Sequence, residues 1–124
     1  MKKIKKKTNE WHRKKCVEWA KTEAKKKVNY KCEKCGRSKA QGYQMQGSHI
    51  YPEGVYKSMS ADVDNILCLC ALCHMDWHEH PLQAVEWLKT KYPKLTIKLR
   101  NRSQTIQPSI NWEIKYKKLS TETN

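Results

Sequence analysis

The sequence predicts a small α+β protein. A zinc-stapled β-hairpin and helix form its centre, a basic helix precedes them, and a helical extension follows. Three observations lead there. Two C-x-x-C pairs, Cys32-Glu33-Lys34-Cys35 and Cys70-Ala71-Leu72-Cys73, offer four thiolates, each pair spaced to grip one tetrahedral ion from a tight turn. Between the pairs, two short stretches alternate as antiparallel strands do. Outside them lie segments of helical spacing bounded by polar caps or prolines.

In chain order, Met1 to Lys7 reads as a basic arm, and Asn9 is a candidate cap for a helix over 10–27. Trp11, Ala20, Ala24 and Val28 fall near one face of that helix with Val17 beside them, and lysines fill much of the rest. Gly36 follows the first cysteine pair, where the chain turns sharply and a residue without Cβ can take positive φ. A strand is expected over 43–50, ended by the turn residues Tyr51-Pro52-Glu53-Gly54, then a loop over 53–61 and a second, antiparallel strand over 63–69. Residues 71–80 suit a helix that Pro81 ends. Residues 82–92 suit another, with Leu82, Val85 and Leu88 together and Pro93 beyond. After Pro93 the pattern is ambiguous: 95–99 reads as strand or helix, 101–109 as a linker, and 110–119 as a short helix or strand. The expected organisation is an arm and helix over 1–31, a metal-bound core over 32–81, and a helix with basic tail over 82–124.

With 124 residues, 38% hydrophobic content and no Phe, the chain can build only a modest core, which a bound metal would reinforce. No apolar stretch approaches membrane-spanning length, and no apolar segment follows the basic N-terminus. The expected setting is therefore intracellular and reducing, where paired thiols bind metal rather than oxidise. Cys16 and Cys68 fall outside the pairs and are read as core residues. The net charge of +14 is unevenly placed. Residues 1–31 carry thirteen Lys or Arg against three Glu, residues 32–81 four against six Asp or Glu, and residues 82–124 nine against three. A mildly acidic centre between basic arms suits a protein that presents a metal to a phosphate backbone. Lys5, Lys6, Lys14, Lys15, Lys25 and Lys26 are the candidate DNA contacts, and a solvated surface is the alternative. Arg100, Arg102 and the run from Lys115 to Lys118 are weaker candidates.

His74 and His78 are four residues apart on the helix after the second pair, close enough to share one ion. Alternatively, one of them completes the zinc site, or both are surface residues. His49 ends the first strand and Asn65 begins the second. The five tryptophans are read as packing residues, with Trp77 and Trp87 backing the proposed site.

His49, Asn65 and the run Leu69-Cys70-Ala71-Leu72-Cys73-His74, with both cysteine pairs in order, resemble the HNH endonucleases over about 32–80. The segment from Cys73 through Trp77-His78 to Pro93 is similar to phage-encoded members, including the NinG-type recombination proteins. The resemblance implies a treble-clef-like ββα-metal core with a structural Zn²⁺ on Cys32, Cys35, Cys70 and Cys73. It further implies a catalytic divalent cation (Mg²⁺, Mn²⁺, Ni²⁺ or Zn²⁺) on His74 and His78, His49 as general base, and Asn65 as the residue that tethers the inter-strand loop and orients His49. The implied partner is DNA, with a phage packaging or recombination complex as a further partner class, in the cytoplasm of a bacterial host cell.

One departure matters. Many members place Asp or His immediately before the base as a ligand, and this chain has Ser48, a poor ligand for which Asp76 or His80 are candidate substitutes. Ser48 favours the alternative function, a non-catalytic zinc module that binds nucleic acid on the same scaffold.

Overall fold

The Thr8 hydroxyl accepts a hydrogen bond from the Trp11 N–H at 3.0 Å and starts helix α1 (Asn9–Lys27), one residue before the expected cap. Asn9 does something else: its Oδ1 accepts from the Trp112 N–H at 2.9 Å and so ties down the far end of the chain. Lys25, Lys26 and Lys27 fill the last turn of α1, where cations complement the helix dipole. The computed structural model describes residues 6–105 and 109–122. Most of the expected basic arm, including Lys5, and positions 106–108 of the expected linker lie outside the described residues.

The chain leaves α1 through Asn29 and Tyr30, both in the left-handed region at φ 53° and 55°, and reaches the first cysteine pair. Strand β1 (Met45–His49) then pairs antiparallel with β2 (Ile66–Cys70), with Met45 opposite Cys70 and His49 opposite Ile66. Both strands are shorter than expected. The positions 63–65 form a 3₁₀ turn rather than the start of β2, so Asn65 sits in the turn just before the strand. Helix α2 (Ala71–Glu79) follows β2 without a loop, capped by the Cys70 thiol.

Pro81 ends α2 by opening the next helix, α3 (Pro81–Lys91), and Pro93 opens α4 (Pro93–Gln104) in the same way. Proline is well placed at a first helical position because no donor is lost there. The ambiguous residues 95–99 are thus helical, and α4 runs into the expected linker. A last helix, α5 (Trp112–Glu122), packs on α1.

Two apolar clusters hold these elements. Cys16, Val17, Ala20 and Ala24 of α1 pack with Ala61, Ile66 and Trp112. Met45, Leu67, Leu69 and Cys68 of the hairpin pack with Trp77 of α2 and with Ala84 and Leu88 of α3. The inward face of α3 is therefore Ala84 and Leu88. Leu82 and Val85 stay 79% and 45% exposed, one helical position away from the face expected. Trp11 is half-buried, edge-on to His12 and Tyr116, while His12 and Arg13 take the buried positions beside it.

The close seat of α1 on β1 depends on Gly47. A methyl group there would lie 2.6 Å from Cγ and 2.9 Å from Cβ of Lys21, nearer than carbon atoms approach. No helix among the described residues is long and apolar enough to cross a membrane.

Candidate metal centre and cleft

The four paired cysteines converge from elements far apart in sequence. Cys32 and Cys35 stand on the turn after α1, Cys70 ends β2, and Cys73 lies in the first turn of α2. Their sulfurs all lie within 4.8 Å of one another. Four thiolates about 2.3 Å from a tetrahedral zinc would be about 3.8 Å apart, and Cys35 Sγ and Cys70 Sγ are separated by 3.7 Å. The backbone N–H of Cys35 points to Cys32 Sγ and that of Cys73 to Cys70 Sγ, each at 3.5 Å, so the turns already offer donors that stabilise thiolate. Burial opposes ionisation of Cys70, but those hydrogen bonds and its sulfur neighbours bring its thiol down to about 7. The donor set therefore fits a structural metal such as zinc.

Neither His74 nor His78 belongs to this cluster. Cys16 and Cys68 are also outside it, both fully buried, and burial pushes the Cys68 thiol up to about 11. Around the cluster, Glu33 accepts from the Cys68 N–H at 2.7 Å and from the Tyr92 hydroxyl at 2.8 Å, fastening the first turn to β2 and to the start of α4.

On the other side of α2, the Nε2 atoms of His74 and His78 face each other at 3.0 Å. Two imidazole nitrogens about 2.1 Å from one ion and at right angles to it would be about 3.0 Å apart, so the pair fits a shared cation. Gln46 Oε1 accepts from His74 Nδ1 at 2.6 Å, which leaves the lone pair on Nε2. Burial, then the neighbouring charges of His78, Lys21 and His49, hold the His74 imidazole below its ordinary pKa and keep that lone pair free.

His49 and the His74–His78 pair line one cleft of about 540 Å³, together with Lys21, Glu53 and Trp77. The His49 ring lies 2.7 Å from the Ser60 carbonyl through Nε2. A carbonyl can only accept, so Nε2 carries the proton and Nδ1 keeps its lone pair.

Asn65 is fully buried and does not touch His49 in any hydrogen bond. Its Oδ1 accepts from the Tyr51 N–H at 2.8 Å, and its Nδ2 donates to the carbonyls of Tyr51 and Met59, each at 3.1 Å. The tether expected of Asn65 is thus present, and it reaches His49 through the backbone neighbour of Met59, Ser60.

Ser48 is 1% exposed, and its Oγ is buried without a partner. Gln46 and Ser48 share a face of β1, the face on which Gln46 meets His74. The expected substitutes for Ser48 are occupied elsewhere. Asp76 binds Lys34 at 2.7 Å and His80 at 2.9 Å, on the cysteine side of the helix. Asp76 is thus held on other partners, and Glu53, which lines the cleft, is held by Arg13 at 3.1 Å.

Of the candidate DNA contacts, Lys6 and Lys14 are exposed, Lys15 pairs with Glu18 at 3.5 Å, and Lys26 pairs with Glu23 at 3.7 Å. Lys25 lies half-buried on α1. Arg102 is held by Asp62 at 2.7 Å and Asp64 at 3.0 Å and braces the turn that carries Asn65. Four participants escaped the sequence reading: Gln46, Lys21, Glu53 and Ser60. Strand alternation from Ser48 signals Gln46; the Ser60 contribution is a carbonyl, which no side-chain pattern reveals.

Compared with known proteins, the chain matches no family model, no curated protein and no solved structure.

Proposed function

We propose that the chain is a metal-dependent DNA endonuclease of HNH type, built on a treble-clef-like ββα-metal core. The observation that carries this reading is the meeting, in one cleft, of a histidine with a free Nδ1 lone pair and a histidine pair spaced for one cation. A divalent ion on His74 and His78 would supply Lewis-acid stabilisation of charge at the phosphate and its leaving oxygen.

The chain's own groups do the rest. His49 Nδ1 takes the proton of the attacking water, since an imidazole is a competent base near neutral pH. As the ring becomes imidazolium, the Ser60 carbonyl stabilises the Nε2–H and fixes the ring plane. Gln46 sets the tautomer of His74, a duty that outer hydrogen bonds commonly perform for metal ligands. The four-cysteine zinc site holds the hairpin and α2 at a fixed separation, and Trp77 walls the cleft.

The test is incubation of zinc-loaded protein with supercoiled plasmid and Mg²⁺, Mn²⁺, Ni²⁺, Zn²⁺ or EDTA, with His49→Ala alongside. Metal-dependent nicking or linearisation is expected from the native chain and at least a hundredfold less from the variant, the scale set by loss of a general base, about 10²–10⁴. Full cleavage by the variant, free of contaminating nuclease, would sink the assignment of the base.

A second reading is a zinc-dependent nucleic-acid-binding module without catalysis. The unpartnered Ser48 hydroxyl and the pairing of Glu53 with Arg13 and of Asp76 with Lys34 favour it. Salt-sensitive DNA binding with no cleavage under any metal, and no second ion bound besides zinc, is the result that selects it.

A further inference from the structure

Of the lysines on α1, Lys15, Lys26 and Lys27 each meet a carboxylate, from Glu18, Glu23 and Asp64 respectively. Lys14, Lys21 and Lys25 meet none, and of these three Lys21 alone lines the cleft. Among the described residues Lys21 has no carboxylate within ion-pair distance, although it is half-buried and lines the cleft with His49, His74 and His78. Its stem is also fixed: the side chain crosses β1 directly over Gly47, at a distance that excludes even a methyl group. Holding a long side chain costs rotamer entropy, which an anion pairing with its ammonium in the cleft would offset.

Resting on the nuclease reading, we infer that Lys21 binds the scissile phosphate, its ammonium meeting a non-bridging oxygen from the α1 side while the histidine pair faces the phosphate from α2. The lysine is a catalytic residue in this assignment because it touches the reacting group. As the phosphorus becomes five-coordinate, negative charge grows on the non-bridging oxygens, and a cation already in place stabilises that growth more than it stabilises the bound ground state. No proton or electron is exchanged with Lys21. The bond made is water oxygen to phosphorus and the bond broken is phosphorus to the leaving oxygen, with the water proton passing to His49. Gly47 acquires a functional reason alongside its packing reason, since it is the residue that lets the stem of Lys21 reach this position.

The experiment compares native protein with Lys21→Met, Lys21→Arg and Lys94→Met, all zinc-loaded. Methionine preserves the stem over Gly47 and removes only the charge, and Lys94 is an exposed lysine of α4, outside the cleft. Single-turnover cleavage at saturating DNA and the salt dependence of DNA binding are both measured. Lys21→Met is expected to lower the cleavage rate about 10²-fold, as loss of one charge-stabilising donor does. Lys21→Arg should restore at least a tenth of the native rate. Lys94→Met should leave the saturated rate within about twofold and the salt slope unchanged. Native-like cleavage by Lys21→Met, or equal losses in the Met and Arg variants, would overturn the assignment.

Failure of the nuclease reading looks different. If the native protein cleaves no DNA with any metal, binding still judges Lys21: a slope unchanged in Lys21→Met excludes a phosphate contact there. A slope lowered by about one contact retains it as a phosphate-binding residue without catalysis.

Discussion

Asn65, itself fully buried, closes the loop between the strands with three hydrogen bonds from one side chain. Asn65→Ala removes them together and strands the Tyr51 N–H and two carbonyls. At about 1 kcal/mol net per bond, urea unfolding of the zinc-loaded variant should show about 3 kcal/mol less stability. A loss below about 1 kcal/mol would mean the loop does not depend on this side chain. His74 makes a second prediction. Burial and positive neighbours disfavour its imidazolium in the folded chain, so its native pKa lies below the ordinary 6.5. As pH falls through 6.5 the unfolded chain takes up this proton first, and stability contributed at neutral pH is lost from there down to the folded value. NMR titration of the zinc-loaded protein should give His74 a midpoint below 6.5, and a midpoint at or above it would contradict the buried placement. His74 was legible in the sequence by its spacing from His78, and Asn65 through the resemblance alone. Their partners were not: Gln46 needed the strand register, and the Met59 and Ser60 carbonyls needed the path of a loop whose side chains do not encode it.

Elements were readable where local chemistry alone decides them. The helices α1, α2 and α3 follow from their spacing and, for α2 and α3, from the prolines beyond their ends, although the cap of α1 is Thr8 and not Asn9, whereas the short strands and α4 depend on what packs against them. The segment 95–99 alternates like a strand but becomes helical once Pro93 sets its first turn and Leu99 finds a buried position. The contact of α1 with β1 is tertiary throughout, and nothing in the spacing of Gly47 announced that Lys21 would cross it. Gly47→Ala should therefore lower stability by about 1–3 kcal/mol, the range for forcing an extra carbon into a packed site. Denaturant midpoints with zinc content unchanged would measure it. A native-like midpoint would show that α1 can shift off the hairpin freely.

At the scale of the whole molecule, the chain packs its first and last described helices together and hangs its cleft on a four-cysteine cluster that fits a metal. Asn9 holds Trp112, α1 lies on α5, and their shared cluster covers one side of the hairpin. On the other side the hairpin packs with α2 and α3, and at that edge Cys32, Cys35, Cys70 and Cys73 bring a turn, a strand and a helix together. Without an ion, four ionised sulfurs in that space repel one another, and protonated ones give up the link. The free energy of zinc binding is therefore largely folding free energy for this half of the protein. One tightly held zinc per chain is expected by elemental analysis. Stripping it with a strong chelator should abolish the cooperative thermal transition of the hairpin and α2, read by near-ultraviolet circular dichroism of Trp77 and Trp87. Cobalt in its place should show the visible absorption of a tetrahedral thiolate site. Cys73→Ala should lower zinc retention sharply, while Cys68→Ala, which removes a buried sulfur outside the cluster, should retain the ion. His74→Ala and His78→Ala should keep the zinc as well, and lose only the binding of an added divalent ion. If either histidine variant lost zinc in parallel with Cys73→Ala, the division between one structural site and a separate cleft would be wrong.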